Sequence, residues 1–176
     1  MRSWDGENKN LYGVSGVLGV KKLISVIAIC CMASIAYAEQ EIVGAFGVRL
    51  GDTVDDSMEF IGESDLGGLF YRFTPAKPNE YFSHYMLLAT HKSKKVYEIM
   101  ASHTHDIQSD CSNKLKLIYA ALRNKYGSEF PQRQRRTIFS TCKNLNTYAR
   151  LEIYYTDQTL AEQSKVEKTE TISDSL

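Results

Sequence analysis

The side chains of this 176-residue chain that can do chemistry are four cysteines, four histidines, one crowded set of carboxylates and one run of arginines. His103 and His105 stand in an H-x-H pair next to Asp106. On a strand that spacing points both rings to one side, and His84 on the neighbouring strand is a third candidate ligand; a metal site needs three or four, with supporting hydrogen bonds. Asp52, Asp55, Asp56, Glu59, Glu63 and Asp65 would allow general acid–base work. They crowd one short segment, however, where a solvated face compensating a helix dipole accounts for them better. The run Gln132-Arg133-Gln134-Arg135-Arg136 offers Arg133, Arg135 and Arg136 to an anionic partner, because the guanidinium fork matches phosphate and carboxylate. A plain solvated loop is the alternative. The chain contains no G-x-S-x-G elbow, no H-E-x-x-H helix and no Gly-rich phosphate loop.

The cysteines divide by what precedes them. Lys21 and Lys22 lead into the uncharged apolar residues 23–35, and Ala36-Tyr37-Ala38 closes that run before the polar Glu39-Gln40-Glu41. A basic n-region, a short apolar stretch and an A-x-A end form a cleavable secretory signal, and the apolar run is too short for a membrane span of roughly 20 residues. Residues 1–38 are therefore the signal region, with cleavage after Ala38. The Gly-rich residues 1–19 ahead of the lysines point to a true start at Val20. Neither Cys30 nor Cys31 follows the small residue that lipid attachment requires, and both leave with the signal. Cys111 and Cys142 remain, an even pair bound for an oxidising compartment and hence a disulfide. It closes a loop of about 32 residues, worth about 3–4 kcal/mol by chain entropy.

Cleavage leaves enough chain for one ordinary domain. Of 21 basic and 21 acidic residues, four basic and two acidic precede Glu39, so the remainder carries 17 against 19, a net charge of −2. That balance excludes a general polyanion binder on bulk charge, nucleic acid included. Residues 42–50 read as a strand, and Thr53 caps a short helix over residues 53–61. Residues 69–74 form a strand, and residues 81–90 and 96–105 a hairpin. Cys111, Leu115, Ile118, Leu122 and Tyr126 make one helical stripe, capped by Ser109 or Asp110 and ended by Gly127. Residues 137–143 and 147–155 alternate with period two as a second hairpin. The order β-α-β-β-β-α-β-β predicts an α+β domain over residues 39–163: a mostly antiparallel sheet of about five to six strands covered by one main helix. Residues 164–176 read as a disordered Ser/Thr/Glu/Lys tail.

With Phe46-Gly47-Val48-Arg49-Leu50-Gly51-Asp52, Val96-Tyr97-Glu98-Ile99, Lys125-Tyr126-Gly127 and Tyr154-Tyr155-Thr156-Asp157, the chain resembles small exported bacterial proteins of unknown function over most of residues 44–160. The function expected is that of a periplasmic or secreted, non-enzymatic binding or accessory protein of the cell envelope, of inhibitor, immunity or assembly-factor type. It would carry no cofactor, take a protein or an anionic envelope component as partner, and touch membrane only through its signal. The alternative is a small secreted hydrolase or metal-dependent enzyme using His84, His103 and His105. N-terminal sequencing of the exported form is expected to return Glu39-Gln40-Glu41, and the precursor mass to correspond to a start at Val20; a precursor starting at Met1 would refute the Val20 start.

Overall fold

Residues that alternate apolar and polar with period two can bury one sheet face and leave the other free, and those that recur at three and four can cover the buried one. The computed structural model describes residues 40–128, the backbone of 132 and 133, and residues 135–175. All of these lie in the second of the two units into which the chain divides, Glu39–Leu176; the expected signal and its processing site lie outside the described residues. The strands are β1 (Gly44–Ala45), β2 (Val48–Arg49), β3 (Glu59–Glu63), β4 (Leu69–Arg72), β5 (His84–Ala89), β6 (Val96–His105), β7 (Gln132–Arg133), β8 (Arg136–Asn144) and β9 (Ala149–Asp157). Helix α1 (Gln108–Tyr126) follows β6, and helix α2 (Gln158–Asp174) follows β9. The main sheet is antiparallel in the order β3-β4-β5-β6-β9-β8-β7, its seventh member being only two residues long. The fold is thus α+β, with α1 packed on one face of the sheet.

Strands β6 and β9 are central although α1, β7 and β8 separate them in sequence. Their register pairs Ile99 with Tyr155, Ala101 with Ile153 and His103 with Leu151. Partners share a face, so these residues meet α1, whose buried stripe is Cys111, Ile118, Leu122 and Tyr126. Cys111 and Cys142 stand at disulfide-bonding distance, with Cα atoms 5.9 Å apart, and tie the first turn of α1 to β8. The helix starts without the expected cap: Ile107 is the N-cap residue and makes no side-chain bond. At its other end Gly127 has φ +80° and its N–H donates to the Arg123 carbonyl at 2.8 Å.

Three expectations fail for local reasons. The strand over residues 42–50 is a hairpin, β1–β2, because Phe46 and Gly47 both take positive φ, as a tight hairpin turn demands. Glycine does this freely; Phe46 does it because its ring sits edge-on to Phe82, Tyr85 and Tyr155, at 5.7, 5.1 and 6.1 Å. The helix over residues 53–61 is instead a turn followed by β3. The Thr53 hydroxyl accepts from Lys95 Nζ (2.8 Å) instead of capping, and Asp55 accepts the Ser57 N–H (2.8 Å) in a local turn. Glu59 then pairs across β3–β4 with Arg72 at 2.8 Å, and Phe60 packs on Tyr71.

The third failure is the tail. Residues 164–174, expected to be disordered, complete α2. The helix is almost featureless as an amphipathic element, and its buried residues are the polar Ser164 and Glu167. What orders it is the turns it crosses. Ser164 Oγ donates to the Gly67 carbonyl (2.9 Å), and Lys168 Nζ reaches Glu63 Oε1 (3.0 Å). Gly67, at φ +93°, allows this approach, since a Cβ there would meet the Lys168 Cβ at 2.8 Å. Glu167 accepts both the Lys92 N–H (2.6 Å) and the Ser93 N–H (3.0 Å), and its other oxygen accepts the Ser93 hydroxyl (2.7 Å). No helix among the described residues is long and apolar enough to cross a membrane.

Burial alone would raise the Glu167 carboxyl, but the bonds from Ser93, Lys92 and Gln163 outweigh it and hold it at about 2. A folded-state value below the ordinary 4.5 means stability present above about pH 4.5 and lost as pH falls towards 2. Glu167→Gln is expected to lower the unfolding free energy by about 2 kcal/mol at pH 7 and to flatten the acid limb below pH 4.5, both read by urea denaturation of the full chain. An unchanged midpoint would show that α2 is not anchored there.

Candidate functional site

One face of the sheet belongs to α1; the other carries no helix among the described residues, α2 reaching the sheet at the strand ends near the β3–β4 and β5–β6 turns. The open face is set by the same register that builds the core. His84 pairs with Ser102 and Ser102 with Glu152; Met86 pairs with Met100, Met100 with Tyr154 and Tyr154 with Phe139. Arg150 lies between Thr104 and Lys143.

A polar network crosses this face. Glu152 is almost fully buried and accepts the Tyr154 hydroxyl (2.7 Å) and the Lys143 ammonium (2.7 Å) on one oxygen. Burial, and then the Glu152 carboxylate, push the Tyr154 hydroxyl above its ordinary range, so it stays a donor. Glu98, two pairs along, accepts the Thr156 hydroxyl at 2.9 Å; burial raises its carboxyl against that bond. Phe139, 57% exposed, stands beside Tyr154 with ring centroids 6.2 Å apart. Next to this network the sheet and the loop after β4 enclose a hollow of about 580 Å³. Arg72, His84, Ser102, Thr104 and Arg150 supply its polar wall, while Phe73, Pro75, Phe82 and Met86 supply an apolar one.

The histidines do not assemble. His84 faces the hollow, whereas His103 and His105 lie on the α1 side with centroids 4.7 Å apart. A strand reverses its side chains at every residue, so His84, opposite Ser102, is one step out of phase with both. His103 Nδ1 bonds the Ser83 hydroxyl at 3.0 Å, and burial, followed by the neighbouring His103 and Lys114, holds buried His105 below the ordinary histidine range. No three His, Cys, Asp or Glu gather in a metal-binding group among the described residues. Ser140 and Lys143 have the spacing of a Ser-x-x-Lys nucleophile pair, but on strand β8 they face opposite ways. Ser140 Oγ donates to the Glu152 carbonyl inside the core face, and Lys143 serves the Glu152 carboxylate outside.

Of the arginine run, Arg136 is committed within the fold and Arg135 holds an exposed pair. Arg136 bonds Asp157 Oδ2 (3.0 Å), Glu41 Oε1 (2.9 Å) and the Ile42 carbonyl (3.0 Å). Arg135, at φ +64°, pairs with Glu162 of α2 at 2.7 Å. The Arg133 side chain lies outside the described residues. Sequence reasoning passed over Arg72 and Arg150, whose only signal is alternation on strands β4 and β9. No protein-family model, curated protein or solved structure matches the chain.

Arg136→Leu leaves the buried Asp157 carboxylate without its cation and is expected to cost about 2 kcal/mol. The exposed Arg135→Leu stays within about 0.5 kcal/mol of the parent. Denaturant midpoints of the two variants measure the contrast, and equal midpoints would mean the Arg136 pairs are ornamental.

Proposed function

We infer that the chain is an exported, non-enzymatic accessory protein of a bacterial cell envelope, of inhibitor, immunity or assembly-factor type, that docks a protein partner on the open face of its sheet. The observation that carries this reading is the open face itself. It presents Phe139, Tyr154, Met86, Met100 and Arg150 on central paired strands, and aromatic residues, methionine and arginine are the types enriched at protein interfaces. Tyr154, held by its bond to Glu152, loses little freedom on binding, which keeps its entropic cost of association low. The disulfide-distance pair Cys111–Cys142 supports an oxidising compartment, and the A-x-A signal supports export.

Cross-linking of the full chain in envelope fractions is expected to give a discrete partner adduct that Phe139→Glu reduces at least tenfold. Phe60→Glu, an equally exposed aromatic on edge strand β3, is expected to leave the adduct intact. Adducts equal in the two variants would remove the open face from the function.

A further inference from the structure

The anion chemistry expected of residues 133–136 has a better address in the hollow beside β4, β5, β6 and β9. Two arginines line it and, among the described residues, no carboxylate does. Arg150 is the less committed of the two. Its nearest acceptors are the Tyr148 hydroxyl at 3.4 Å and Glu152 Oε1 at 3.9 Å, the latter already engaged through Oε2 by Lys143 and Tyr154. A guanidinium carries five donors, so most of its capacity is unspent. Arg72 holds Glu59 at 2.8 Å, but both side chains are more than 60% exposed. Such a pair contributes about 0–1 kcal/mol and yields readily to a competing oxyanion. The Ser102 and Thr104 hydroxyls add donors on the same wall, and Phe73, Pro75, Phe82 and Met86 provide an apolar surface opposite. The volume of about 580 Å³ is that of a small-molecule pocket and far below that of a protein footprint.

We propose that this hollow binds an oxyanion carried on an apolar body, with the carboxylate or phosphate taken by the Arg150 fork and the apolar part lying against Phe73, Phe82 and Met86. The site goes beyond the docking of a protein partner: it shares Met86 and Arg150 with the docking face, but Phe139, Tyr154 and Met100 of that face do not line it. Arg150 reads the charge, Arg72 strengthens it from the rim, and the aromatic wall rejects small hydrated anions that bring no apolar body to bury.

Calorimetric titration of the full chain with 3-phenylpropionate, phenethyl phosphate and neutral 3-phenylpropanol tests the site. Both anions are expected to bind, and the alcohol at least tenfold more weakly. Whichever anion binds tighter distinguishes a carboxylate source from a phosphate source. Arg150→Met is expected to weaken both anions at least tenfold, Arg72→Met about threefold, and Arg135→Met not at all. Where Arg150→Met fails to fold by circular dichroism, Arg150→Lys keeps the charge and removes the fork, and an intermediate loss is expected. Binding of the alcohol as tight as that of the anions, anion affinity unchanged in the folded Arg150 variant, or no binding at millimolar ligand each overturns the proposal. Phe139→Glu should keep anion affinity, so failure of partner docking and failure of this site are separately visible.

Discussion

The pairing of β6 with β9 is the constraint on which the rest of the molecule depends. These strands are distant in sequence, central in the sheet, and in register from Glu98–Thr156 to His105–Ala149. Because side chains alternate with period two, a slip of one residue would turn Ile99, Ala101, Leu151 and Ile153 away from α1 and bring Glu98, Glu152 and Arg150 beneath it. The cost of burying those charges fixes the register far more firmly than the hydrogen bonds do. Once it is fixed, the positions of Cys142 under α1, of Glu152 beside Tyr154, and of His84 on the face opposite His103 follow without further choice.

Charge is distributed by the same logic. Asp157 ends β9, takes Arg136 on one oxygen, and with the other accepts the Thr159 and Leu160 N–H groups that open α2. One carboxylate therefore joins strand end, helix start and the N-terminal segment at Glu41 and Ile42, which Arg136 also holds. Arg136 at this junction is a structural cation. Arg150 and Arg72, at the far end of the sheet, have no comparable anchor, and the difference between a spent and an available guanidinium is a matter of position alone.

The elements legible in the sequence were those whose signal is local. The hairpins β5–β6 and β8–β9 show their alternation, and α1 shows its stripe and its Gly127 terminus. Illegible were the features that depend on partners far along the chain. Thr53 looks like a cap residue, yet Lys95 claims its hydroxyl and β4 claims the segment after it. Residues 164–174 have the composition of a tail, and partners some 75 to 105 residues earlier, the amides of Lys92 and Ser93, the Gly67 carbonyl and Glu63, make a helix worth forming. The candidate site was illegible for the same reason: His84, Arg72 and Arg150 become neighbours only through cross-strand register, which carries no mark in any single segment.

The central position of β9 has a consequence for how the molecule comes into being. It is the last of the described strands in chain order, and β6 and β8 both need it as a neighbour. Until Ala149–Asp157 emerges, the strands from β3 to β6 and the segment from α1 to β8 are two halves with no seam between them. Closure of the main sheet therefore waits for β9, and until then neither half can complete its core.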